Sequence, residues 1–411
     1  MLNWASQFNI CCYLDDNEYH ERFHSFDCLL GVGANQVFSP SGPVPNVLEQ
    51  LGVFINLQDD WLFGHFNYDL KNGIESLYSH HTDHIGFPEI FLFQPETVIE
   101  VKNNTVVIGS LTGSPANIFE QIIKFTVDRI RAVPTSLSIQ PRTEKDDYLS
   151  TIQKLKQHIL RGDCYEINFC QEFFVANAQI DPLEVYQNLS VISPAPFSCF
   201  YKLEDKFLLC ASPERYIKKT GDTIISQPIK GTARRNMQNA DEDELLRTAL
   251  FNSKKDRSEN VMIVDLVRND LSKICTEGSV STQELFGIYT FPQVHQMIST
   301  VEGELKAGTG LADVLQATFP MGSMTGAPKR KVMELIEQFE PVKRGIFSGA
   351  VGYVKPGGDF DFNVVIRSIM YNATAQYLNY LVGGGITFYS NAEQEYEECL
   401  LKAQAMERAL K

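Results

Sequence analysis

Residues 206–230 read K-F-L-L-C-A-S-P-E-R-Y-I-K-K-T-G-D-T-I-I-S-Q-P-I-K, and this stretch decides the fold class. Apolar and β-branched runs lie on both sides of Gly221-Asp222, a pair that favours a tight turn between antiparallel strands. A similar pattern surrounds the turn residues 356–359 within 352–370. Hairpins of this kind, rather than regular β-α alternation, predict an antiparallel sheet in an α+β fold.

Helical segments separate the hairpins. Apolar residues recur at helical spacing between 149 and 159, and the helix is expected to stop at Gly162. Near the end of the chain, Ser390 and Glu393 have the spacing of a capping box. The other predicted helices cover 241–256, 258–271, 328–339 and the segment from about 392 onward.

The first third of the chain reads as strands. The runs 59–70 and 96–109 are rich in aromatic and β-branched residues, and an Asn-Asn pair forms a turn in the second. A polar stretch with two prolines, 132–147, predicts a boundary. We therefore expect two regions: 1–140, which is mostly β and partly integrated with the core, and 144–411.

Composition limits the function classes. The chain has 411 residues, a formal net charge of −15 and nine cysteines without a C-x-x-C pair. The acidic balance argues against nucleic acid and anionic membrane as partners, and no run approaches the ~20 apolar residues of a membrane span. Scattered single cysteines and the lack of a basic leader predict a cytoplasmic protein with reduced thiols.

Carboxylates recur at helical spacing in two segments. Asp256 and Glu259 share one helix face, and Glu395 and Glu398 share another, with Lys402 one turn further on. Two such helices could bind Mg²⁺, which needs few protein oxygens. A solvated acidic face explains the same spacing and is common on helices.

Glycine runs form a second set of candidates. Gly383, Gly384 and Gly385 follow an apolar strand-like run, and 321–329 leads into a helix, so both could bring backbone N–H groups close to an anion. Arg367 ends another strand-like run and could grip a carboxylate with two hydrogen bonds. Tight structural turns and an ordinary edge arginine are the alternatives.

Three side chains are candidates for chemistry. Glu214 follows a buried-looking run, where desolvation would raise its pKa and make it a general acid, although an exposed turn glutamate is commoner. His295 lies in an apolar stretch that usually holds a core histidine. Lys230 follows Pro228-Ile229 at a strand end, and it is either a surface charge or a reactive amine.

Several short motifs appear together in the order found in chorismate-utilising enzymes, and the chain resembles that family over most of its second region. A looser match covers Gly64–Asp69. The motifs are G-D-C-Y-E-I-N (162–168), A-S-P-E-R (211–215), P-I-K-G-T (228–232), D-R-S-E-N-V-M-I-V-D-L-V-R-N-D (256–270), G-S-M-T-G-A-P-K (322–329), V-V-I-R (364–367), G-G-G-I (383–386) and E-Y-E-E-C-L-L-K-A (395–403).

The resemblance implies a fold and a set of roles. It implies a large antiparallel-sheet sandwich with surrounding helices, in which 144–411 is the chorismate-binding catalytic domain. Glu214 would be the general acid, and His295 would lie beside the ring. The implied Mg²⁺ ligands and their supports are Glu259, Glu398, Asp256 and Glu395, and the implied substrate-binding residues are Gly231, Thr232, Tyr353, Arg367, Gly383, Gly384, Gly385 and Lys402.

The branch of the family depends on Lys230. Aminodeoxychorismate synthase first components resemble this chain in P-I-K-G-T and in Glu259-Asn260, whereas anthranilate synthases generally have alanine at the lysine position. Isochorismate synthases have a lysine base within the segment that matches 162–168, and this chain has none there. The implied pathway leads to 4-aminobenzoate and folate. An anthranilate synthase component and a non-catalytic chorismate-binding regulatory subunit remain as alternatives.

The chemistry of the implied reaction gives Lys230 a specific role. Amination with net retention is achieved by two successive allylic displacements, in which a lysine amine adds first and ammonia then replaces it. The amine must be neutral, and burial together with Mg²⁺ is expected to lower its pKa. None of the cysteines has the G-x-C-x-G setting of a glutaminase nucleophile, so we expect a separate glutamine amidotransferase subunit to supply the ammonia.

Two departures from the family pattern stand out. Glu166 and Glu172 occupy positions where many relatives have glutamine and arginine, which leaves the role of that segment open. The N-terminal D-C-L-L-G-V-G (27–33) lacks the serine of tryptophan-binding relatives, so a tryptophan site is not expected.

Overall fold

The structure is a computed structural model that describes residues 1–19, 23–40, 46–126, 137–291 and 294–411. Residues 132–136 of the predicted boundary stretch lie outside the described residues.

The helices are α1 (Leu2–Ala5), α2 (Val47–Gln58), α3 (Lys71–Glu75), α4 (Pro115–Lys124), α5 (Lys145–Arg161), α6 (Pro182–Ile192), α7 (Ala240–Asn252), α8 (Lys254–Ser272), α9 (Leu311–Thr318), α10 (Lys329–Phe339) and α11 (Ala392–Ala409). The strands are β1 (Ile10–Asp15), β2 (Cys28–Val32), β3 (Gln36–Phe38), β4 (Leu62–Phe66), β5 (Ile90–Gln94), β6 (Thr97–Lys102), β7 (Thr105–Ser110), β8 (Gln140–Pro141), β9 (Glu166–Ala176), β10 (Phe197–Leu203), β11 (Lys206–Ser212), β12 (Arg215–Thr220), β13 (Thr223–Gln227), β14 (Ile229–Arg234), β15 (Ser281–Thr290), β16 (Val294–Glu304), β17 (Gly326–Ala327), β18 (Ala350–Val354), β19 (Phe360–Asn363), β20 (Ser368–Asn372) and β21 (Tyr377–Ile386).

Two large antiparallel sheets form the framework, as the hairpin pattern predicted. In the described residues the first sheet has the order β17-β9-β21-β20-β11-β10-β1-β2-β6-β7, with β8 beside β9. The second has the order β14-β16-β13-β12-β19-β18-β4-β5-β3, with β15 beside β16. The α+β sandwich with surrounding helices is confirmed.

Strands from the first 110 residues belong to both sheets. In the first sheet, β1 pairs with β10 and β2, and Ile10 lies opposite Leu203. In the second sheet, β4 pairs with β18 and β5, and Phe66 lies opposite Ala350. Each sheet is therefore continuous across the predicted boundary.

Side-chain alternation separates two apolar layers. Cys12 and Leu29 point into the core between the two sheets, whereas their neighbours Cys11 and Leu30 point to the other face, where helices such as α5 and α11 cover the first sheet. All nine cysteines are buried and unpaired, as the scattered pattern predicted. None of the helices in the described ranges has both the length and the apolar character needed to cross a membrane.

Local signals fixed most elements, and two helix boundaries need correction. The Asn103-Asn104 turn has positive φ at both residues and joins β6 to β7 as predicted. The predicted capping residue of α11 is wrong, because Asn391 accepts a hydrogen bond from the N–H of Gln394 while Ser390 Oγ accepts one from the N–H of Thr387.

The break between α7 and α8 lies at Ser253 and not at residue 257. Ser253 caps α8 by accepting a hydrogen bond from the N–H of Asp256. As a result, Asp256 and Glu259 lie on the same helix.

The core between the sheets should respond strongly to truncation. Phe66 is fully buried, and its ring centroid lies 5.1 Å from that of Phe362. We expect Phe66→Ala to lower the free energy of unfolding by about 3–5 kcal/mol, measured by guanidinium unfolding. Leu57→Ala, at a side chain that is 76% exposed, is the control. Equal losses in both variants would contradict this assignment of the core.

Candidate active site

Lys230 lies on β14, the edge strand of the second sheet, and is 9% exposed. The ladder between β14 and β16 is irregular between Ile229 and Thr232. Gly231 has φ of +93°, and a Cβ there would lie 3.0 Å from Cβ of Asp256. Glycine is required at this bulge because an L side chain is strained at that φ and would crowd α8.

Lys230 reaches across to the first sheet. Its Nζ donates a hydrogen bond of 2.5 Å to Oε1 of Glu166, which begins β9 and is 1% exposed. Burial alone would lower the pKa of Lys230, but Glu166, Glu259 and Glu214 outweigh it and raise the pKa. For the protein without Mg²⁺ the expected lowering of the pKa is therefore wrong, because sequence patterns did not reveal that three carboxylates lie near the amine.

Glu214 lies between β11 and β12 and is 4% exposed. Burial raises the pKa of Glu214 to about 7, while a hydrogen bond from Ser323 and the charge of Lys230 oppose the rise. The predicted effect of desolvation is therefore present. A carboxyl group with this pKa is partly protonated near neutral pH and can donate a proton.

The two acidic helices approach each other, as the family resemblance implied. On α8, Glu259 is 8% exposed, and on α11, Glu395 is 4% exposed. Lys255 lies between the helices, with Nζ 3.3 Å from Oε1 of Glu395 and 3.9 Å from Oε1 of Glu259. Burial, followed by the opposing charge of Lys230, sets the pKa of Glu259, which is raised to about 7.

The donor set fits a hard divalent cation. Oε1 of Glu259 is buried and has no hydrogen-bond partner in the described residues. The position between the helices already attracts a cation, the ammonium of Lys255. Within the described ranges, the four acidic side chains do not form a group of three whose ligand atoms lie within 4.8 Å of one another. Mg²⁺ needs only one or two carboxylates, so the arrangement remains compatible with it.

Glycines are needed at 383 and 385 because side chains there would collide with their neighbours, and not because the strand turns at this point. On β21, a Cβ on Gly385 would lie 2.5 Å from Oε1 of Glu166 and 2.8 Å from Nζ of Lys230. Gly384 faces the acidic helix α11. The carbonyl of Gly383 accepts a hydrogen bond of 2.8 Å from Nζ of Lys402, which also pairs with Glu398 at 2.8 Å.

Arg367 is a further cation of this site, and it interacts electrostatically with Glu398. It is a non-glycine residue with φ of +52° between β19 and β20. Within the described part of the chain, its guanidinium has no hydrogen-bond or ion-pair partner. Burial lowers the pKa of Arg367, and Glu398 opposes the change. A partly buried arginine without a counterion is suited to an anionic ligand.

The structure does not place Tyr353 with this group. Tyr353 is buried on β18, and its ring packs against Phe26 and Trp61. The strand order places β18 five strands from β14, which is about 24 Å at the usual strand spacing. The predicted role of Tyr353 in substrate binding is therefore wrong for this geometry.

His295 is also engaged elsewhere. Its Nε2 lies 3.1 Å from Oδ1 of Asp243, and its Nδ1 lies 3.0 Å from Oγ1 of Thr290. In the described residues it makes no side-chain contact with Lys230 or Glu214, so its predicted place beside the reacting ring stays a prediction. Thr232 is exposed on β14 next to Lys230.

Three contributors were missed by sequence reasoning. Glu166 had no assigned role, although it is the direct partner of Lys230. Ser323 bonds Glu214 from a distant segment. Lys255 could have been found, because it lies one helical turn before Glu259.

A buried lysine, a carboxyl group with a raised pKa, two acidic helices and an unpaired arginine together define an enzyme site for a small anionic substrate. Residues 16–408 match the family model described as chorismate binding enzyme. The chain therefore belongs to the chorismate-binding enzyme family.

Relatives and solved structures agree with this assignment. The chain is 32% identical to an aminodeoxychorismate synthase component 1 of Bacillus subtilis, over 84% of this chain and 76% of that protein. It is also 32% identical to an anthranilate synthase component I-like protein of Synechocystis, over 89% and 75%. The fold matches anthranilate synthase component I from Streptococcus pneumoniae with a TM-score of 0.80 at 24% identity, covering 95% of this chain and 94% of that one.

The raised pKa of Glu214 predicts a pH-dependent stability. The folded state holds this proton more tightly than the unfolded state. The proton's contribution to the free energy of unfolding is therefore complete below pH 4.5 and is lost as pH rises through about 7. We expect Glu214→Gln to gain stability relative to wild type over this window, on the order of 3 kcal/mol.

Melting temperatures measured from about pH 5 to pH 8 would show this gain as a flatter pH dependence of Glu214→Gln than of wild type. Glu277→Gln, at an exposed glutamate, is the control and should follow wild type. Parallel curves for wild type and Glu214→Gln would contradict the assignment.

Proposed function

We propose that this chain is the first component of aminodeoxychorismate synthase, which replaces the 4-hydroxyl of chorismate by an amino group and retains the enolpyruvyl ether. The observation that carries the proposal is the buried Lys230, whose amine lies among the carboxylates of Glu166, Glu259 and Glu214. A nucleophilic lysine distinguishes this chemistry from direct attack by ammonia. The name of the Bacillus subtilis relative supports the same choice.

Substrate binding follows from the charges. Chorismate has two carboxylates, and Arg367 provides a guanidinium with no counterion to displace within the described residues. Lys402 lies at the other end of the glycine run, next to Gly383. Gly385 leaves the space above Lys230 free of a side chain. The substrate would be held with its ring over the amine.

Lys230 and Glu214 perform the first displacement. The amine of Lys230 forms a bond to C2, the two ring double bonds shift, and the C4–O bond breaks. Glu214 donates its proton to the departing hydroxyl, which leaves as water. Burial keeps this proton on Glu214 near neutral pH.

Ammonia performs the second displacement. It forms a bond to C4, the double bonds shift back, and the bond between C2 and Lys230 breaks. The ionised Glu214 takes a proton from the new ammonium group and is ready for another cycle. Because the hydroxyl leaves C4 in one displacement and ammonia enters at C4 in another, the product can retain the configuration at C4.

Glu259 and Glu398 would hold Mg²⁺, with Asp256 and Glu395 supporting them. When bound, the metal supplies a positive charge for the ring carboxylate of the substrate. Oε1 of Glu259, which is buried and accepts no hydrogen bond in the described residues, supports this assignment.

A separate glutamine amidotransferase subunit would supply ammonia. The designation component 1 in the Bacillus subtilis relative implies a second component. All nine cysteines of this chain are buried, so none is presented as a glutaminase nucleophile. An anthranilate synthase component is the second candidate, because the Synechocystis relative is named as similar to one.

Product analysis separates the two candidates. The purified chain is incubated with chorismate, Mg²⁺ and ammonium, and we expect 4-aminobenzoate only after addition of a lyase that removes pyruvate. Direct formation of anthranilate and pyruvate would overturn the proposal in favour of the second candidate.

The covalent step has its own test. Mass spectrometry of the chain trapped with chorismate should show an adduct on Lys230, and Lys230→Ala should lose ammonia-dependent amination by at least about 100-fold. Lys202→Ala, at another lysine outside the site, is the matched control. An unmodified wild type together with a fully active Lys230→Ala would remove the nucleophile.

Glutamine dependence tests the partner. Free ammonium should support turnover by the chain alone, whereas glutamine should support it only after an amidotransferase subunit is added. Turnover of glutamine by the isolated chain would contradict a separate subunit.

A further inference from the structure

We propose that Glu166 is the base that takes a proton from Lys230 before the amine attacks, and that it returns this proton when the lysine departs. The inference deepens the proposed function and rests on it. It assigns a proton-transfer role to a side chain that lies within the motif 162–168 and had no role assigned from the sequence.

The contact between the two groups is direct and enclosed. Nζ of Lys230 lies 2.5 Å from Oε1 of Glu166, and the two residues are 9% and 1% exposed. In the described residues, Glu166 is the only group that accepts a hydrogen bond from this ammonium. Proton transfer requires such a hydrogen bond, and here it exists before substrate arrives.

The surrounding backbone leaves room for the pair. Gly385 on β21 faces it, and any Cβ at that position would come within 2.5 Å of Glu166 Oε1 and 2.8 Å of Lys230 Nζ. Oε2 of Glu166 is buried without a hydrogen-bond partner in the described residues. Glu166 therefore has capacity to hold a proton, and no other side chain among the described residues hydrogen-bonds to its Oε2.

Lys230 needs a base close at hand. Its Nζ donates a hydrogen bond to the carboxylate of Glu166 and forms an ion pair with it, so the resting amine is an ammonium group. Solvent reaches the buried amine poorly, so its proton must pass to a neighbouring side chain.

The other two neighbouring carboxyl groups, Glu214 and Glu259, are less suited to accept the proton of Lys230. Glu214 must keep its own proton for the leaving hydroxyl, and Oε1 of Glu259 lies 3.9 Å from the ammonium of Lys255. Glu166 is left as the acceptor.

The proton inventory balances over the cycle. Lys230 gives one proton to Glu166 and becomes a neutral amine, which forms the bond to C2 while Glu214 protonates the departing hydroxyl. When ammonia forms its bond to C4, the two double bonds shift back, the bond between C2 and the lysine nitrogen breaks, and its electron pair stays on Lys230. Glu166 then returns its proton, and Lys230 is an ammonium group again. No oxidant or further reactant is needed.

The test compares Glu166→Gln with wild type. Glutamine keeps the size and a hydrogen-bond acceptor but cannot take a proton. We expect adduct formation on Lys230 to slow by about 100-fold near neutral pH with little change in KM for chorismate. Below about pH 7, where Glu214 keeps its proton, the rate in the variant should rise about tenfold per pH unit as hydroxide replaces the lost base, whereas wild type, which passes the proton internally, should be nearly independent of pH.

Two further variants separate proton transfer from a structural role. Glu166→Gly should regain part of its activity when formate is added, because a small carboxylate can occupy the vacated space. Glu172→Gln is the matched control, since Glu172 lies on the same strand, is 1% exposed and bonds Tyr377 and Asn379. It should lose thermal stability but keep the wild-type pH profile and gain nothing from formate.

The outcomes are distinguishable. If wild type aminates chorismate while Glu166→Gln matches its rate and pH profile, or differs only in KM, this inference alone is overturned. Failure of formate to rescue Glu166→Gly would also count against a proton acceptor. If wild type does not consume chorismate, the proposed function fails and this inference falls with it.

Discussion

The apolar layer between the two sheets is the constraint on which the rest of the structure depends. It holds two antiparallel sheets face to face, so that strands far apart in sequence lie opposite each other. The lysine is on β14 of the second sheet and the glutamate is on β9 of the first. Their contact exists only because this layer fixes the separation of the sheets. The contact between Lys230 and Glu166 therefore depends on the packing of the apolar layer between the two sheets.

Burial explains why charge is balanced so closely at the site. Removing an ion from water is costly unless it is paired, and Lys230, Glu166, Glu214 and Glu259 are each less than a tenth exposed. One amine cannot satisfy three carboxylates at once. Burial raises the pKa of two of these carboxyl groups, Glu214 and Glu259, against the opposing charge of Lys230. Under the proposed function, the remaining negative charge would favour a metal ion, and Arg367, which has no hydrogen-bond or ion-pair partner within the described residues, would attract the substrate.

Sequence patterns predicted the elements well because the signals for strands, turns and helix ends are local. The Asn103-Asn104 turn and the helix ending at Gly162 follow from two or three neighbouring residues. The cap of α11 was misplaced by one position because serine and asparagine are both good caps, and only the local hydrogen bonds choose between them. Neither the raised pKa of Lys230 nor the remote position of Tyr353 could be predicted, since each depends on strand order across the whole fold.

The mixing of early and late strands has a consequence for how the chain acquires its structure during synthesis. Residue 10 pairs with residue 203, and residue 66 pairs with residue 350. The first strands made must therefore wait, with unpaired edges and apolar faces exposed, until nearly the whole chain has left the ribosome. Long-range pairing of this kind makes folding slow and exposes the nascent chain to aggregation. The site is complete only after the late strands have paired with the early ones. Chaperones would therefore have most effect on the early part of the chain, before its partner strands have been synthesised.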